Sequence, residues 1–240
     1  MIEFAWARCQ CGDWLRRRQR SPMDNAAAMG ALHAQWRETC AALGLAESPS
    51  LGALREQLIA AYSEAHRHYH STQHLLECFA QWRPLRALAE RPGEVELALW
   101  FHDAVYALRA HDNEARSADW AHASALRMGI GDMSASRIRA LVMATVHSAE
   151  PIDHDAQLLV DVDLSILGAM PARFDQYETQ IRMEYAWVAD ADFLIGRARV
   201  LEGFLARPRI FSTDAMYRRL EVAARANLER SIARLRSNAG

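Results

Sequence analysis

The stretch LALWFHDAVYAL, residues 97–108, places an adjacent histidine and aspartate inside an apolar run. In a helix, side chains three and four residues apart share one face. For His102 and Asp103, every such neighbour is aliphatic or aromatic. An ionisable group on an apolar face costs free energy unless it is paired, hydrogen-bonded or bound to a metal. The stretch therefore predicts a core helix that carries two buried ionisable side chains.

A second apolar stretch, QLLVDVDLSILG (residues 157–168), contains two aspartates. The helical neighbours of Asp163 are all aliphatic, whereas those of Asp161 are mixed. We therefore expect Asp163 to point into the core and Asp161 to point elsewhere. A buried carboxylate needs a partner, and carboxylates and an imidazole in one dry cavity commonly share a divalent cation.

A third stretch, YHSTQH (residues 69–74), follows two other histidines, His66 and His68. Apolar residues just after His74 predict that its helix packs on the core, so that His74 can supply a second imidazole. The alternative, a solvated helix face, stays open for His74 and is the interpretation we favour for His66 and His68. His70 lies four residues before His74, which predicts that both share one helical face.

Composition excludes several classes of function. The 240 residues carry a formal net charge of −2, so nothing indicates a nucleic-acid or anionic-membrane partner. All 28 basic residues are arginine, which excludes a lysine Schiff base and a P-loop lysine. The four cysteines form neither a disulfide framework nor a completed zinc motif. Without an apolar run of about 18 residues or a signal peptide, we expect a cytoplasmic protein.

Helical periodicity dominates the chain and predicts an all-α fold with one domain over residues 27–237. Residues 1–22 lack an amphipathic stripe and are expected to be a disordered arm, or an over-extended start with Met23 as the true first residue. Helices are predicted over 51–65, 112–129, 134–147, 171–185 and 213–235. Expected terminal signals are Asp112 and Asn113, Gly129, Ser134 and Pro171.

The order of these residues, His74, then His102–Asp103, then Asp163, resembles the HD superfamily of metal-dependent phosphohydrolases. The ordered stretches YHSTQH, LWFHDAVY, DNEARSA, DVDLSILG, RMEYAWV and ARANLERSIARL resemble a family of predicted phosphohydrolases within it. The resemblance implies a single compact HD-type helical bundle. It also implies that His74, His102, Asp103 and Asp163 hold one divalent ion, which is Mn, Mg, Zn, Co or Fe.

The same resemblance implies hydrolysis of a phosphate ester, of a nucleotide or another small phosphorylated metabolite, by a metal-activated water. Whether the enzyme is a monoesterase or a diesterase stays open. YHSTQH is also similar to the start of cyclic-nucleotide phosphodiesterase catalytic domains, and this similarity implies that His70 is the proton donor.

Three other residues are candidates for the site. Arg109 is a candidate phosphate clamp, with a surface arginine as the alternative. Glu114 is a candidate for orienting the nucleophile or a ligand histidine, with a helix-capping carboxylate as the alternative. His147 is expected to line the cleft or to support a second metal, although we favour one metal.

Two other functions compete with a phosphohydrolase. One is a regulatory module that binds a nucleotide in the HD cavity without turnover, and the other is a purely structural helical protein. The predicted partners are a small phosphorylated substrate and neither nucleic acid nor a membrane. The oligomeric state stays open, with a homodimer among the possibilities.

Overall fold

A computed structural model describes residues 22–147 and 151–238. These residues form ten α-helices and contain no strand. The helices are α1 (Pro22–Ala42), α2 (Pro49–Ala61), α3 (Thr72–Trp82), α4 (Pro92–Phe101), α5 (Asn113–Arg127), α6 (Asp132–Met143), α7 (His154–Asp163), α8 (Pro171–Glu184), α9 (Asp190–Leu205) and α10 (Asp214–Asn238). The predicted all-α class is therefore confirmed.

Helix α4 is the centre of the fold. Every residue from Gly93 to Phe101 is buried, and the helix contacts α1, α3, α5, α6 and α7. The mainly apolar residues of this helix explain why it is buried on all sides. Its two glutamates are paired, because Glu94 accepts hydrogen bonds from Arg137 and Glu96 accepts them from Arg86 and Trp82.

Helix termini follow the predicted signals in part. Helix α5 begins after Asp112 and ends before Gly129, whose φ of +82° favours glycine. The predicted cap at Ser134 is wrong, because α6 begins two residues earlier and Gly131 is its N-cap. Ser134 lies inside the helix, where its hydroxyl accepts a hydrogen bond from Arg137.

Two of the helices that carry candidate site residues, α4 and α7, end within apolar runs of the sequence. Helix α4 stops at Phe101, so His102 caps it and Asp103 lies in the turn beyond. Helix α7 stops at Asp163 and continues as a 3-10 turn over Leu164–Gly168. Each helix therefore delivers its polar residues at its C-terminal end, where the chain can turn toward other segments.

The 3-10 turn after Asp163 packs tightly on α10. A Cβ on Gly168 would lie 2.6 Å from the Cβ of Leu220, so only glycine fits without a shift. The side-chain amide of Asn227 donates hydrogen bonds to the carbonyl oxygens of Leu167 and Ala169, both at 2.8 Å. Helix α10 therefore fixes the direction in which the chain leaves Asp163.

Apart from Pro22, which begins α1, the predicted disordered arm of residues 1–22 lies outside the described residues, as do Cys9 and Cys11. The predicted domain limits of 27–237 stay a prediction. Within the described ranges, none of the helices has both the length and the apolarity that crossing a membrane requires.

Candidate metal centre

Three distant segments bring four potential metal donors together. His74 lies in the first turn of α3, His102 and Asp103 follow α4, and Asp163 ends α7. The Nε2 atoms of His74 and His102 are 3.0 Å apart. One oxygen of Asp103 is 3.4 and 3.1 Å from these two nitrogens, and Oδ1 of Asp163 is 3.2 and 3.7 Å from them. We call these four atoms the donor cluster.

The spacing of the donor cluster fits a metal ion. Ligands about 2.0–2.2 Å from a small divalent cation lie roughly 3 Å from one another when they are adjacent in its shell. Imidazole nitrogens and carboxylate oxygens together suit Mn, Fe, Co and Zn. The burial of the histidines adds to the fit, because His74 and His102 are only 2% and 1% exposed. His74, His102 and Asp163 of the cluster, together with the buried Cys78, form a group whose potential ligand atoms all lie within 4.8 Å of one another and which could hold a metal ion.

The tautomer of His102 is set by the backbone. Its Nδ1 lies 2.8 Å from the carbonyl oxygen of Leu99, which only an Nδ1–H can satisfy. In the neutral ring, Nε2 is then the nitrogen without a proton, and its lone pair is directed into the cluster. This arrangement, in which one ring nitrogen donates to a carbonyl, is typical of metal-binding histidines.

Cys78 is a fifth buried group at the cluster, and the sequence analysis missed it. Its Sγ lies 3.7 Å from Nδ1 and 3.6 Å from Nε2 of His74. An atom almost equally far from both ring nitrogens lies on the lone-pair axis of neither. An ion on the Nε2 lone pair is therefore beyond the ~2.3 Å of a metal–thiolate bond. For an ion on the Nε2 lone pair of His74, the thiol is a neighbour rather than a donor, although Cys78 belongs to the group of side chains that could hold a metal ion.

Both carboxylates of the cluster are held ionised. Burial acts against ionisation, but hydrogen bonds from His147 and His74 outweigh it and lower the pKa of Asp163. For Asp103, burial is likewise outweighed by the nearby charges of His102 and His70, which lower its pKa. Ionised carboxylates are the form that binds a cation.

Asp161 is more deeply buried than Asp163, which the helical pattern did not predict. The expectation that Asp161 points away from the core is wrong, because its carboxylate is fully buried against the chain that enters α10. It accepts hydrogen bonds from the backbone N–H groups of Ser212 and Thr213 at 2.8 and 2.7 Å and from the Thr213 hydroxyl at 2.6 Å. Asp161 therefore stabilises the start of α10 through these hydrogen bonds.

His70 lies next to the cluster and forms a second part of the site. It lies in the loop before α3 and not on the helix, so the predicted shared helical face with His74 is wrong. The two rings are nevertheless 6.0 Å apart between centroids. The ring of Tyr106 stacks on that of His70 at 4.2 Å, and Nδ1 of His70 lies 2.7 Å from Oε2 of Glu184.

Glu184 is the buried carboxylate that binds His70 and the loop around it. Its Oε1 accepts hydrogen bonds from the backbone N–H groups of His68, Tyr69 and His70, and its Oε2 accepts one from the Tyr106 hydroxyl. Burial opposes its ionisation, but the hydrogen bond and charge of His70, together with these N–H groups, lower the pKa of Glu184 to about 2. Glu184 lies in the stretch RMEYAWV, whose local pattern does not indicate a role for this glutamate.

Arg67 joins the loop of His70 to the turn of Asp103. Its guanidinium donates hydrogen bonds to the carbonyl oxygens of Asp103 at 2.6 Å, of Ala104 at 2.9 Å and of His70 at 3.2 Å. The side chain is buried, so these bonds form away from water. Arg67 thereby fixes the relative positions of two segments that carry site residues.

The remaining predicted site residues lie at different distances from the centre. His147, in a left-handed conformation with a φ of 56°, places Nε2 3.0 Å from Oδ2 of Asp163. Glu114 lines the cavity beside the cluster. Arg109 is exposed, and its guanidinium lies over the ring of Trp187 at 5.0 Å, outside the cavity lining. The structure thus brings His147 and Glu114, but not Arg109, to the site.

Comparison with known proteins adds no relative. The chain matches no protein-family model, no curated protein and no solved structure.

Proposed function

We propose that this protein is a metal-dependent phosphohydrolase and that His74, His102, Asp103 and Asp163 hold its divalent ion. The observation that carries the proposal is the donor cluster: four nitrogen and oxygen atoms from three segments, with the separations of a metal shell. Two imidazoles and two carboxylates form a catalytic type of donor set, since structural zinc sites are mostly built from cysteine. The substrate is a small phosphate ester that enters from the adjacent cavity.

When it is bound, the ion supplies the Lewis acidity that phosphoryl transfer to water requires. The chain supplies the rest. The ionised carboxylates of Asp103 and Asp163 would hold the ion and balance its charge. Because the Nδ1 of His70 is engaged by Glu184, its Nε2 is the nitrogen that protonates the leaving oxygen. Glu184 positions His70, in the way a carboxylate orients a catalytic histidine in other hydrolases.

The complete donor set and the His70–Glu184 pair favour an enzyme over the alternative of a nucleotide-binding regulatory module. A module that only binds has no need of a proton donor oriented by a buried carboxylate. Arg109 keeps its proposed role only if its side chain leaves Trp187, and Glu114 is proposed to contact the substrate from the cavity wall.

The test is elemental analysis of the purified protein, followed by a phosphatase screen with Mn²⁺, Mg²⁺, Zn²⁺, Co²⁺ and Fe²⁺. The panel contains nucleotides, sugar phosphates, cyclic nucleotides and p-nitrophenyl phosphate. We expect about one ion per chain and turnover of at least one ester. The exposed His154→Ala serves as a matched control that keeps metal and activity. A protein that binds no divalent ion, or binds one and hydrolyses nothing, contradicts the proposal.

The proton-donor role of His70 predicts a dependence on the leaving group. His70→Ala should keep the ion and lose roughly 10²–10⁴-fold in kcat on alkyl phosphates. The loss should be much smaller on p-nitrophenyl phosphate, because its leaving group needs little protonation. Metal content and kcat on both substrates are measured. An equal loss on both substrates would contradict the donor role, and a loss of metal would make His70 a ligand.

A further inference from the structure

A cavity of about 690 Å³ opens beside the donor cluster. His70, His147 and Asp163 line the part that meets the cluster, and residues of α8 and α9 form the wall farther from it. Cavities of roughly 300–1,000 Å³ accommodate drug-sized molecules. The space is therefore larger than a phosphate group needs, and the wall away from the cluster faces the organic part of the substrate.

The far wall of the cavity is mainly apolar. Its apolar side chains are Ile181 on α8, Phe193 and Val200 on α9 and Val188 between the two helices, and the charged Asp192 and Arg197 lie on α9 beside them. Hydroxyl groups and the edges of a nucleobase need hydrogen-bonding partners when they leave water, and the apolar side chains of this wall offer none. An apolar group loses no hydrogen bonds there, and its transfer from water lowers the free energy.

The charges of the cavity argue against a second phosphate. Arg197 is the one arginine among its described lining residues, and its guanidinium donates two hydrogen bonds to Glu178 and lies 5.0 Å from the ring centroid of Tyr177. The acidic residues on the lining include Glu114 and Asp192. A diphosphate or triphosphate would place its extra negative charges beside carboxylates without a free guanidinium to receive them.

We propose that the substrate carries a single phosphate group on an apolar organic group, and that this group occupies the cavity wall formed by α8 and α9. The proposal rests on the proposed function, which places the phosphate at the donor cluster. It narrows the substrate from small phosphate esters in general to those with an alkyl or aryl body, and it excludes nucleoside polyphosphates.

The test measures binding rather than turnover. The Mn²⁺-loaded protein is titrated calorimetrically with methyl-, butyl-, hexyl- and phenylphosphonate, and with a polyether phosphonate as long as the hexyl compound. Affinity should rise about fourfold for each methylene that enters the cavity, which is the value expected for apolar transfer from water. The polyether compound should bind no better than methylphosphonate.

Two matched variants locate the effect. Val200 lines the cavity and is half exposed, and Val222 is an exposed valine on α10 outside the lining. Val200→Asn should weaken hexylphosphonate severalfold and leave methylphosphonate unchanged, whereas Val222→Asn should change neither. Both positions are solvent-accessible, so neither variant should prevent folding.

The outcomes separate the two proposals. If the protein holds Mn²⁺ and binds every phosphonate equally, or prefers the polyether compound, the apolar substrate is wrong and the metal centre stands. If hexylphosphonate binds more tightly but Val200→Asn has no effect, the organic group does not lie on this wall and the proposal is overturned. If no metal or no phosphonate binds, the proposed function fails and this inference falls with it.

Discussion

Two aspartates on one helix have opposite surroundings. Asp161 and Asp163 lie two residues apart in α7, so their side chains leave the helix on different faces. Asp161 is fully buried and receives three hydrogen bonds from Ser212 and Thr213, whereas Asp163 is partly exposed and faces three histidines. Burial raises the pKa of Asp161 above its usual value, and the hydrogen bonds from His147 and His74 lower that of Asp163.

The comparison teaches that burial does not identify a functional carboxylate. The more deeply buried of the two aspartates stabilises a helix start, and its partners are groups that a stable fold must satisfy in any case. The less buried one faces the carboxylate of Asp103 and the Nε2 atoms of His74 and His102, and groups of this kind share a proton or a cation. The kind of partner, and not the depth of burial, distinguishes the candidate metal site from the scaffold.

The largest expected effect is the loss of metal in Asp163→Ala. Removing a donor leaves the ion with three protein ligands and less negative charge, so we expect metal affinity to fall by more than about 100-fold, above the effect of losing an outer partner of a ligand. Competition with a chelator measures the affinity. Retention of metal at the wild-type affinity would remove Asp163 from the ligand set.

The matched variant Asp161→Ala should keep the metal and lose stability instead. It leaves the N–H groups of Ser212 and Thr213 without their acceptor, and three lost hydrogen bonds at roughly 1–1.5 kcal/mol each amount to about 4 kcal/mol. Urea unfolding of the metal-free protein measures the loss. Equal metal loss in both aspartate variants would show that the two faces of α7 are not functionally separate.

Glu184 shares a property with each of the two aspartates. It caps three backbone N–H groups, as Asp161 caps two, and it also binds a functional histidine. Because its pKa falls from the usual 4.5 to about 2, the ionised form stabilises the fold above pH 4.5, and this contribution is lost as the pH falls through about 2. The shift corresponds to about 3 kcal/mol.

Glu184→Gln should therefore destabilise the protein by about 2–3 kcal/mol at pH 7, since glutamine keeps one acceptor but no charge. The difference in the free energy of unfolding between the variant and the wild type should decrease as the pH is lowered from 4.5 to 3. Urea unfolding over this pH range measures it, with Glu229→Gln on an exposed part of α10 as a control of little effect. A gap that stays constant from pH 7 to 3 would contradict the assigned ionisation.

Cys78→Ser should have the smallest effect on metal binding, although Cys78 is as buried as the ligand histidines. Its sulfur lies on neither lone-pair axis of His74, so we expect metal affinity to change by less than about threefold, compared with 10- to 100-fold for an outer partner that orients a ligand. The Co²⁺-substituted wild-type protein should also lack a thiolate charge-transfer band. The presence of that band would make Cys78 a ligand.

Local pattern was sufficient for much of the fold. The 3.6-residue period predicted helices where α2, α5, α8 and α10 occur, because residues three and four apart in the sequence lie on the same face of a helix. Asp112, Gly129 and Pro171 marked helix ends because each acts on the backbone next to it. The same local reasoning gave no end for the helices that stop at Phe101 and Asp163, because each of them ends within an apolar run.

The sequence by itself predicted the all-helical fold and placed His102, Asp103 and Asp163 on apolar faces, where ionisable side chains need a partner. The resemblance of the ordered motifs added His74 to them. Only the tertiary structure decided what lies beside them. Glu184 reaches His70 across 114 residues, and Asp161 reaches Thr213 across 52. Such contacts depend on how helices are oriented against one another, and the period of a single helix fixes which face is apolar but not which distant backbone it will meet.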